Sequence, residues 1–166
     1  MSFHITSIEK LLLNPFTAIG GGALLTARAE NKINMMTISW GNMGVMWNKN
    51  IVTVYVRPDR YTREFLEKQD FFSVSFYPKD NNSALKLCGT QSGRDTDKVK
   101  ATGLTPICTD DTAYFAEAKL VFICKKLYVD RIRPDGFISS DGDVHYPQKD
   151  YHYLYMGEIV KVLEAE

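Results

Sequence analysis

Short apolar segments of strand length recur along this chain, separated by glycine, proline or asparagine. The clearest of these segments is residues 51–56, in which every side chain is β-branched or aromatic. Asn50 and Pro58 bound it. Only residues 60–69 and 82–101 have helical patterns, which is too little helix for a doubly wound parallel sheet. We therefore predict an α+β domain, mainly β, that forms a closed or partly closed barrel with two helical insertions.

Glycine, proline and aspartate set the predicted boundaries of several segments. An early amphipathic segment is expected to end at Asn14, because a residue that precedes proline is pushed out of the helical region. Gly41 and Gly44 predict a bulge or bend after the strand that precedes them. Asp59 is the predicted N-cap of the helix over residues 60–69.

The charges of the chain cancel, since 20 lysine and arginine residues face 20 aspartate and glutamate residues. Nothing in that balance favours nucleic acid or an anionic membrane as a partner, and no apolar run approaches the roughly 20 residues that span a bilayer. The cysteines, Cys88, Cys108 and Cys124, form no Cys-x-x-Cys pair, which predicts reduced thiols in a cytoplasmic protein. The length of 166 residues predicts a single domain over residues 1–166.

Familiar catalytic motifs are missing from the sequence, among them the P-loop, the dinucleotide-binding glycine fingerprint and the nucleophile elbow. The three histidines, His4, His145 and His152, are not spaced as metal ligands, so we expect no metal site. Because the acid–base machinery is so sparse, an enzyme of this sequence is expected to leave the difficult step to a bound cofactor.

Three arginines, Arg57, Arg60 and Arg63, surround the predicted start of the helix over residues 60–69. Cations at that end of a helix are unfavourable by about 0.3–1 kcal/mol each, unless an anion binds to them and to the free amides of the first turn. Thr62 adds a hydroxyl group in the same turn. The cluster is interpreted either as an anion site or as solvated surface arginines.

A second polar segment, residues 90–98, combines small hydroxyl residues with Gly93, Arg94 and Lys98. Its backbone amides and its cations suit an anionic ligand. Asp95 and Asp97 equally suit the cap of a short helix that follows. Both interpretations of this segment stay open.

The strand over residues 35–40 has an alternating pattern. Met35, Thr37 and Ser39 are predicted on one side, and Met36, Ile38 and Trp40 on the other. A bend after this strand turns backbone donors and acceptors toward the edge of a flat heteroaromatic ring, with Met36 and Trp40 against its face. The alternative is an ordinary sheet with a buried methionine and tryptophan.

Three blocks of sequence, taken together, resemble the flavin reductase family, and in particular its flavoredoxin-like branch. They are Asn34-x-Met36-Thr37-x-Ser39-Trp40, Val56-Arg57-Pro58-x-Arg60-Tyr61-Thr62 and Cys88-Gly89-x-x-Ser92-Gly93-Arg94-Asp95-x-Asp97-Lys98. The similarity spans roughly residues 15–160. It implies an FMN-binding split β-barrel with short helical insertions, and a homodimer whose flavin sites lie near the subunit interface.

The resemblance also implies which residues bind the cofactor. Those that line the isoalloxazine are expected to be Met36, Thr37, Ile38, Ser39 and Trp40. Those around the phosphate end and the far side of the ring are expected to be Arg57, Arg60, Tyr61, Thr62, Ser92, Gly93, Asp97 and Lys98. His152 matches a histidine often found near the last strand of this family and is the one candidate catalytic residue, with a structural role as the alternative. Arg63 stands where many relatives have histidine.

The function that the resemblance implies is that of an NAD(P)H:flavin reductase, which transfers hydride from nicotinamide to flavin N5 and passes electrons to a small-molecule or protein acceptor. One alternative is a flavoredoxin-type FMN electron carrier with protein partners and little NAD(P)H turnover. A second is a non-redox barrel that binds a phosphorylated ligand. Cys88 is interpreted as a packed thiol rather than a reactive one.

Overall fold

A computed structural model of the chain describes residues 2–78 and 82–166. The strands are β1 (Phe3–Thr6), β2 (Ala23–Ala29), β3 (Lys32–Ile38), β4 (Gly41–Met46), β5 (Lys49–Val56), β6 (Phe71–Phe76), β7 (Pro106–Cys108), β8 (Ala113–Phe115), β9 (Leu120–Arg131) and β10 (Tyr153–Ala165). The α-helices are α1 (Pro15–Gly20), α2 (Tyr61–Lys68), α3 (Asn82–Thr90), α4 (Lys98–Thr102) and α5 (Ser140–Asp143). None of these helices is long and apolar enough to cross a membrane.

Eight strands form one antiparallel sheet in the order β3-β2-β6-β9-β10-β5-β4, with β1 beside β10. The end strands β3 and β4 follow each other in the chain through Ser39 and Trp40, yet they do not pair. A two-residue connection keeps these ends close together, so the sheet curls into a barrel that is open along one seam. The predicted fold class, a mainly β split barrel with short helices, is confirmed.

The last strand, β10, holds the barrel together because it pairs along its whole length with β9. Its first half also pairs with β5 and its second half with β1. Bulges between Met156 and Gly157 and between Ile159 and Lys161 bend the strand between these partners. A Cβ atom on Gly157 would lie 2.7 Å from the Phe72 ring, so only glycine fits at this bend.

Strand alternation separates two hydrophobic cores. Met36 and Ile38 belong to the core inside the barrel, together with Leu25 of the neighbouring strand. Met35 and Leu24 belong to the second core, which packs against α3. The predicted alternation is therefore confirmed for Met35, Met36 and Ile38, because successive side chains of β3 point to opposite faces of the sheet, whereas Ser39 and Trp40 lie beyond the end of this strand.

The prediction for the segment before Pro15 is confirmed as far as it went. A short 3-10 helix, Ile8–Lys10, lies there, and Asn14 is extended, as expected of a residue before proline. Pro15 also begins α1, which was not predicted, and the side chain of Asn14 caps that helix by accepting a hydrogen bond from the Phe16 amide at 3.0 Å. Proline is well suited to the first helical position, where its missing N–H would have no partner. The short strands β1, β7 and β8 were not predicted at all.

Two further local predictions differ from the structure. The chain does bend after β3, since β4 begins at Gly41 beside a different strand, but Gly41 and Gly44 pair with β5 in continuous register, so the predicted bulge is wrong. A Cβ atom on Gly41 would lie 2.9 Å from the carbonyl oxygen of Thr53, which explains the glycine as a close approach. Arg60 rather than Asp59 is the N-cap of α2, because the chain turns through a hydrogen bond from the Arg60 amide to the Arg57 carbonyl.

Candidate functional site

A pocket of about 210 Å³ lies where the end of β3, the end of β5 and the start of β10 meet. Its lining residues are Met36, Thr37, Ile38, Ser39, Trp40, Tyr55, Arg57, Arg60 and His152. All of them except Tyr55 are residues that the sequence predicts for the site. The fold therefore brings three separate stretches of chain to one place at the open seam.

The free edge of β3 gives this pocket a backbone wall. The carbonyl of Met35 accepts a hydrogen bond from the Lys98 ammonium at 2.9 Å, so the backbone of Met35 faces away from the neighbouring strand β2. Alternate residues of an antiparallel strand direct their N–H and C=O groups to the same edge. The backbone of Thr37 therefore also faces the free edge, while its hydroxyl group donates to the Leu85 carbonyl of α3.

The two pocket arginines differ in their partners. Arg57 forms an ion pair with Asp150 through Nη1, and its Nη2 donates to the His145 carbonyl at 3.0 Å. Arg60 has no carboxylate partner among the described residues, and the one hydrogen bond of its guanidinium there is a long one, at 3.5 Å, to the Gly89 carbonyl. Arg60 is therefore the cation that is available to an anion.

An aromatic cluster closes the other side of the pocket. The Trp40 ring lies 5.0 Å from the His152 ring and 5.5 Å from the His145 ring. The hydroxyl of Tyr146 lies 2.9 Å from Nδ1 of His152. Burial lowers the pKa of His152 to about 4, with the nearby Arg57 as a second cause, so its imidazole is neutral at pH 7.

A larger cleft of about 640 Å³ adjoins this pocket, because Ser39, Trp40 and Tyr55 line both. Its other lining residues are Pro15, Phe16, Ile19, Gly20, Gly41, Asn42, Met43 and Ile132. None of the described residues in this lining is charged. The larger cleft lies within the range of roughly 300–1,000 Å³ that is typical of small-molecule sites.

Six predicted cofactor ligands lie outside the pocket, and two of them have structural partners. Lys98 is buried, and its ammonium donates to the carbonyls of Met35 and Cys88, the latter at 3.1 Å. Burial lowers the pKa of this lysine. Asp97 caps α4 by accepting a hydrogen bond from the Lys100 amide at 3.1 Å.

Of the other four, Tyr61 and Thr62 lie in the first turn of α2, and Ser92 and Gly93 lie in the loop before α4. The Thr62 hydroxyl accepts a hydrogen bond from the Asn34 side chain at 2.8 Å, and Arg94 lies 4.9 Å above the Tyr61 ring. Ser92 accepts a hydrogen bond from the Arg94 amide. A Cβ atom on Gly93 would lie 2.0 Å from Oδ1 of Asn34, so glycine is required there. As cofactor ligands, these six residues stay predictions.

Several residues at the pocket were not predicted. Tyr55 alternates with the buried Val54 and Val56 along β5, so strand alternation alone predicts that it faces the other way. Tyr146 and Asp150 contact the pocket residues His152 and Arg57 from the long connection between β9 and β10, for which the sequence contains no comparable signal.

Neither a reactive thiol nor a metal centre stands out in the described part of the chain. Cys88 is fully buried, and burial raises the pKa of its thiol to about 11, as expected for a packed cysteine. No group of three or more His, Cys, Asp or Glu side chains is placed there to hold a metal ion.

Comparison with known proteins places the chain in a family. The model of the flavin reductase like domain matches residues 19–166, whereas no curated protein sequence matches the chain. The flavoredoxin of Methanosarcina acetivorans is 23% identical, with a TM-score of 0.68 over 87% of this chain and 68% of that one. An FMN-binding domain of a flavin reductases-like enzyme from Shewanella baltica is 18% identical, with a TM-score of 0.71 over 98% and 77%.

A third similar structure is the NADH:FAD oxidoreductase of Streptomyces globisporus in complex with NAD and FAD fragments, which is 14% identical. Its TM-score is 0.64 over 87% of this chain and 74% of that one. At such low identities these structures show the shared fold. Because the family model matches almost all of the sequence, the chain belongs to the flavin reductase-like family.

Proposed function

We propose that this protein is an FMN-binding oxidoreductase that transfers hydride from NAD(P)H to flavin. The observation that supports the proposal most directly is the seam pocket. It combines a free strand edge, a tryptophan and an arginine without a carboxylate partner among the described residues. A flat ring with a polar edge and an anionic tail needs these three features.

The residues of the pocket fit the parts of FMN. Arg60 and the free amides at the start of α2 suit the phosphate. The backbone of Thr37 suits the polar edge of the ring, where its N–H stabilises the negative charge that develops on reduction. Trp40 and Met36 supply apolar contact. Bound FMN accepts hydride without a protein base, which agrees with the few acid–base residues of this chain.

The larger cleft is the proposed place of the nicotinamide. It shares Ser39, Trp40 and Tyr55 with the smaller pocket, so a second planar molecule bound there lies next to the first. Its uncharged walls suit a neutral carboxamide ring. The Streptomyces globisporus oxidoreductase, which has the same fold, is described with NAD and FAD fragments bound.

A flavoredoxin-type electron carrier is the alternative, and the similarity in fold to the flavoredoxin of Methanosarcina acetivorans supports it. Such a carrier binds FMN in the same pocket, exchanges electrons with a protein partner and reacts slowly with NAD(P)H. A non-redox barrel that binds another phosphorylated ligand is the second alternative. We also propose a cytoplasmic location, since Cys88, Cys108 and Cys124 are all free thiols.

Absorbance spectroscopy under anaerobic conditions distinguishes these functions. The purified protein is mixed with FMN, freed of unbound flavin by gel filtration, and then mixed with NADH or NADPH in a stopped-flow instrument. If the protein is the reductase, it retains FMN through gel filtration, and NADH or NADPH bleaches the bound FMN far faster than it bleaches free FMN. Retained FMN that only dithionite bleaches supports the carrier, and failure to retain FMN contradicts both flavin functions.

We further propose that the chain forms a homodimer through the tip of the β4–β5 hairpin. Val45, Met46 and Trp47 expose apolar side chains to water there. Trp47 and Asn48 form the two-residue turn of the hairpin, with φ values of 51° and 58°. Such a turn normally favours asparagine or glycine. A left-handed backbone conformation costs a residue such as tryptophan about 1–2 kcal/mol. Burial of the Trp47 side chain against a partner subunit offsets this cost. The tip lies at the far end of β4 from Trp40, about 20 Å along the hairpin from the pocket.

Replacing Trp47 with glycine tests the interface, because the change removes the exposed ring and relaxes the turn. We expect the dissociation constant of the homodimer to rise at least tenfold, while the unfolding free energy of the isolated monomer does not fall. Sedimentation velocity and urea denaturation at low protein concentration measure the two quantities. Ile138→Ala, which alters a fully exposed side chain outside the hairpin, is the control. A monomeric wild-type protein, or an unchanged dimer in the Trp47 variant, contradicts the proposal.

A further inference from the structure

A tyrosine–histidine pair borders the pocket at His152, one of its lining residues. The Tyr146 hydroxyl lies 2.9 Å from Nδ1 of His152, and both side chains are buried, at 3% and 7% exposure. Among the described side chains, His152 is the one hydrogen-bond partner of the Tyr146 hydroxyl. The proton in this bond therefore decides which nitrogen of His152 is free to donate.

The direction of this hydrogen bond follows from the single hydrogen of the Tyr146 hydroxyl group. Burial raises the pKa of Tyr146, so the hydroxyl keeps its hydrogen at neutral pH. If Nδ1 donated to this hydroxyl, the tyrosine hydrogen would point into a buried space without an acceptor among the described residues, which is a costly arrangement. Tyr146 is therefore the donor and Nδ1 the acceptor.

The charges around His152 keep its imidazole neutral. Arg57 and Arg60 both lower the pKa of His152, in addition to burial, whereas Asp150 and Asp59 act in the opposite direction without outweighing these effects. A neutral imidazole has one proton. Since Nδ1 accepts from Tyr146, that proton is on Nε2.

We infer that Tyr146 is a positioning residue that holds the proton of His152 on Nε2, so that His152 presents a fixed neutral N–H donor to a carbonyl oxygen of the bound ligand. His152 lines the pocket, and its Nε2 has no hydrogen-bond partner among the described residues. The Trp40 ring, 5.0 Å away and tilted by 47°, packs against the imidazole and limits its rotation.

The chemistry of a neutral N–H defines the ligand group that His152 recognises. Such a donor satisfies an amide-type carbonyl without adding charge, and it does so over the whole pH range in which the imidazole stays neutral. The pyrimidine edge of a flavin and the carboxamide of a nicotinamide both contain this group. The choice between these ligands rests on the proposed function, whereas the position of the proton is a property of the ligand-free protein.

Nitrogen-15 NMR of the histidine side chains tests the position of the proton without any ligand. In the wild-type protein we expect one tautomer of His152, protonated on Nε2, with an Nδ1 signal displaced by its hydrogen bond. In Tyr146→Phe this displacement is expected to disappear and a second tautomer to become populated. Tyr114→Phe, which removes the same atom from a buried tyrosine of the second core, is the control. A proton on Nδ1 in the wild type, or an unchanged spectrum in Tyr146→Phe, overturns the inference.

Two isosteric substitutions test the donor itself. The amide nitrogen of glutamine reaches the position of Nε2, so His152→Gln is expected to retain ligand affinity. That of asparagine reaches only the position of Nδ1, so His152→Asn is expected to bind about three- to tenfold more weakly, the value of one neutral hydrogen bond. Riboflavin is titrated into the ligand-free protein and NAD⁺ into the FMN-loaded protein.

The two titrations identify the source of the carbonyl. Weaker riboflavin binding in the asparagine variant assigns it to the flavin, and a loss confined to NAD⁺ assigns it to the nicotinamide. Equal affinities of both variants for both ligands overturn the donor role of His152. If the wild-type protein binds no flavin at all, the proposed function fails, while the spectra still decide where the proton lies.

Discussion

Replacing Arg60 with alanine is expected to weaken FMN binding by about ten- to hundredfold and to leave riboflavin binding nearly unchanged. FMN and riboflavin differ only in the phosphate, and Arg60 is the pocket arginine without a carboxylate partner among the described residues. Charge-assisted hydrogen bonds of this kind contribute about 1.5–3 kcal/mol, which corresponds to this loss of affinity. Fluorescence titration of both flavins measures the effect.

Two other arginine variants make this experiment specific. Arg57→Ala is expected to discriminate less between FMN and riboflavin, because the Arg57 guanidinium already binds Asp150 and the His145 carbonyl. Arg133→Ala removes an exposed positive charge away from the pocket lining and is expected to change neither affinity. Equal weakening of FMN and riboflavin in the Arg60 variant would mean that the phosphate lies elsewhere.

Replacing Lys98 with methionine is expected to lower the free energy of unfolding by about 2–4 kcal/mol, because two buried carbonyl groups lose their donor. One of them, Cys88, lies in the last turn of α3, and the other, Met35, lies on the free edge of β3. The ammonium also lies at the negative end of the helix dipole of α3, where a cation is favourable. Urea denaturation at pH 7 measures the loss.

Lys100→Met is the matched control, since Lys100 is an exposed lysine of the same helix, α4. Its effect on the unfolding free energy is expected to stay within about 0.5 kcal/mol. If the Lys98 variant is as stable as the wild type, the hydrogen bonds of the ammonium to β3 and α3 do not stabilise the fold. A loss of FMN affinity without any loss of stability would instead support the original prediction that Lys98 is a cofactor ligand.

Strand periodicity predicted more of this fold than turn residues did. The alternation in residues 35–40 separates Met35 from Met36 and Ile38 as predicted, because a pleated strand directs successive side chains to opposite faces. The helix start at Pro15 was missed and Gly41 was misread, because each residue has two common uses. Proline both follows and begins helices, and glycine serves bulges as well as close approaches within a regular ladder.

The candidate site was predicted in part for the same reason. The stretches over residues 36–40 and 57–60 contain several pocket residues each, and they were found as blocks. Tyr146 and Asp150 lie in a connection without periodicity, and they contact pocket residues only because that connection folds back toward them. Sequence patterns report on neighbours along the chain, whereas these contacts join residues that are distant in sequence.

The sequence by itself determined the mainly β character of the protein and the two faces of its strands, since these follow from local sterics and residue chemistry, and its three blocks carry the family resemblance that implies a flavin. Only the tertiary structure decided which arginine is available to a phosphate and which ring nitrogen of His152 carries the proton. It also directed the Lys98 ammonium onto two carbonyl groups rather than into the pocket. The physical reason is that the role of a polar side chain depends on its partner, and distant strands and loops supply that partner only when the barrel closes around its seam.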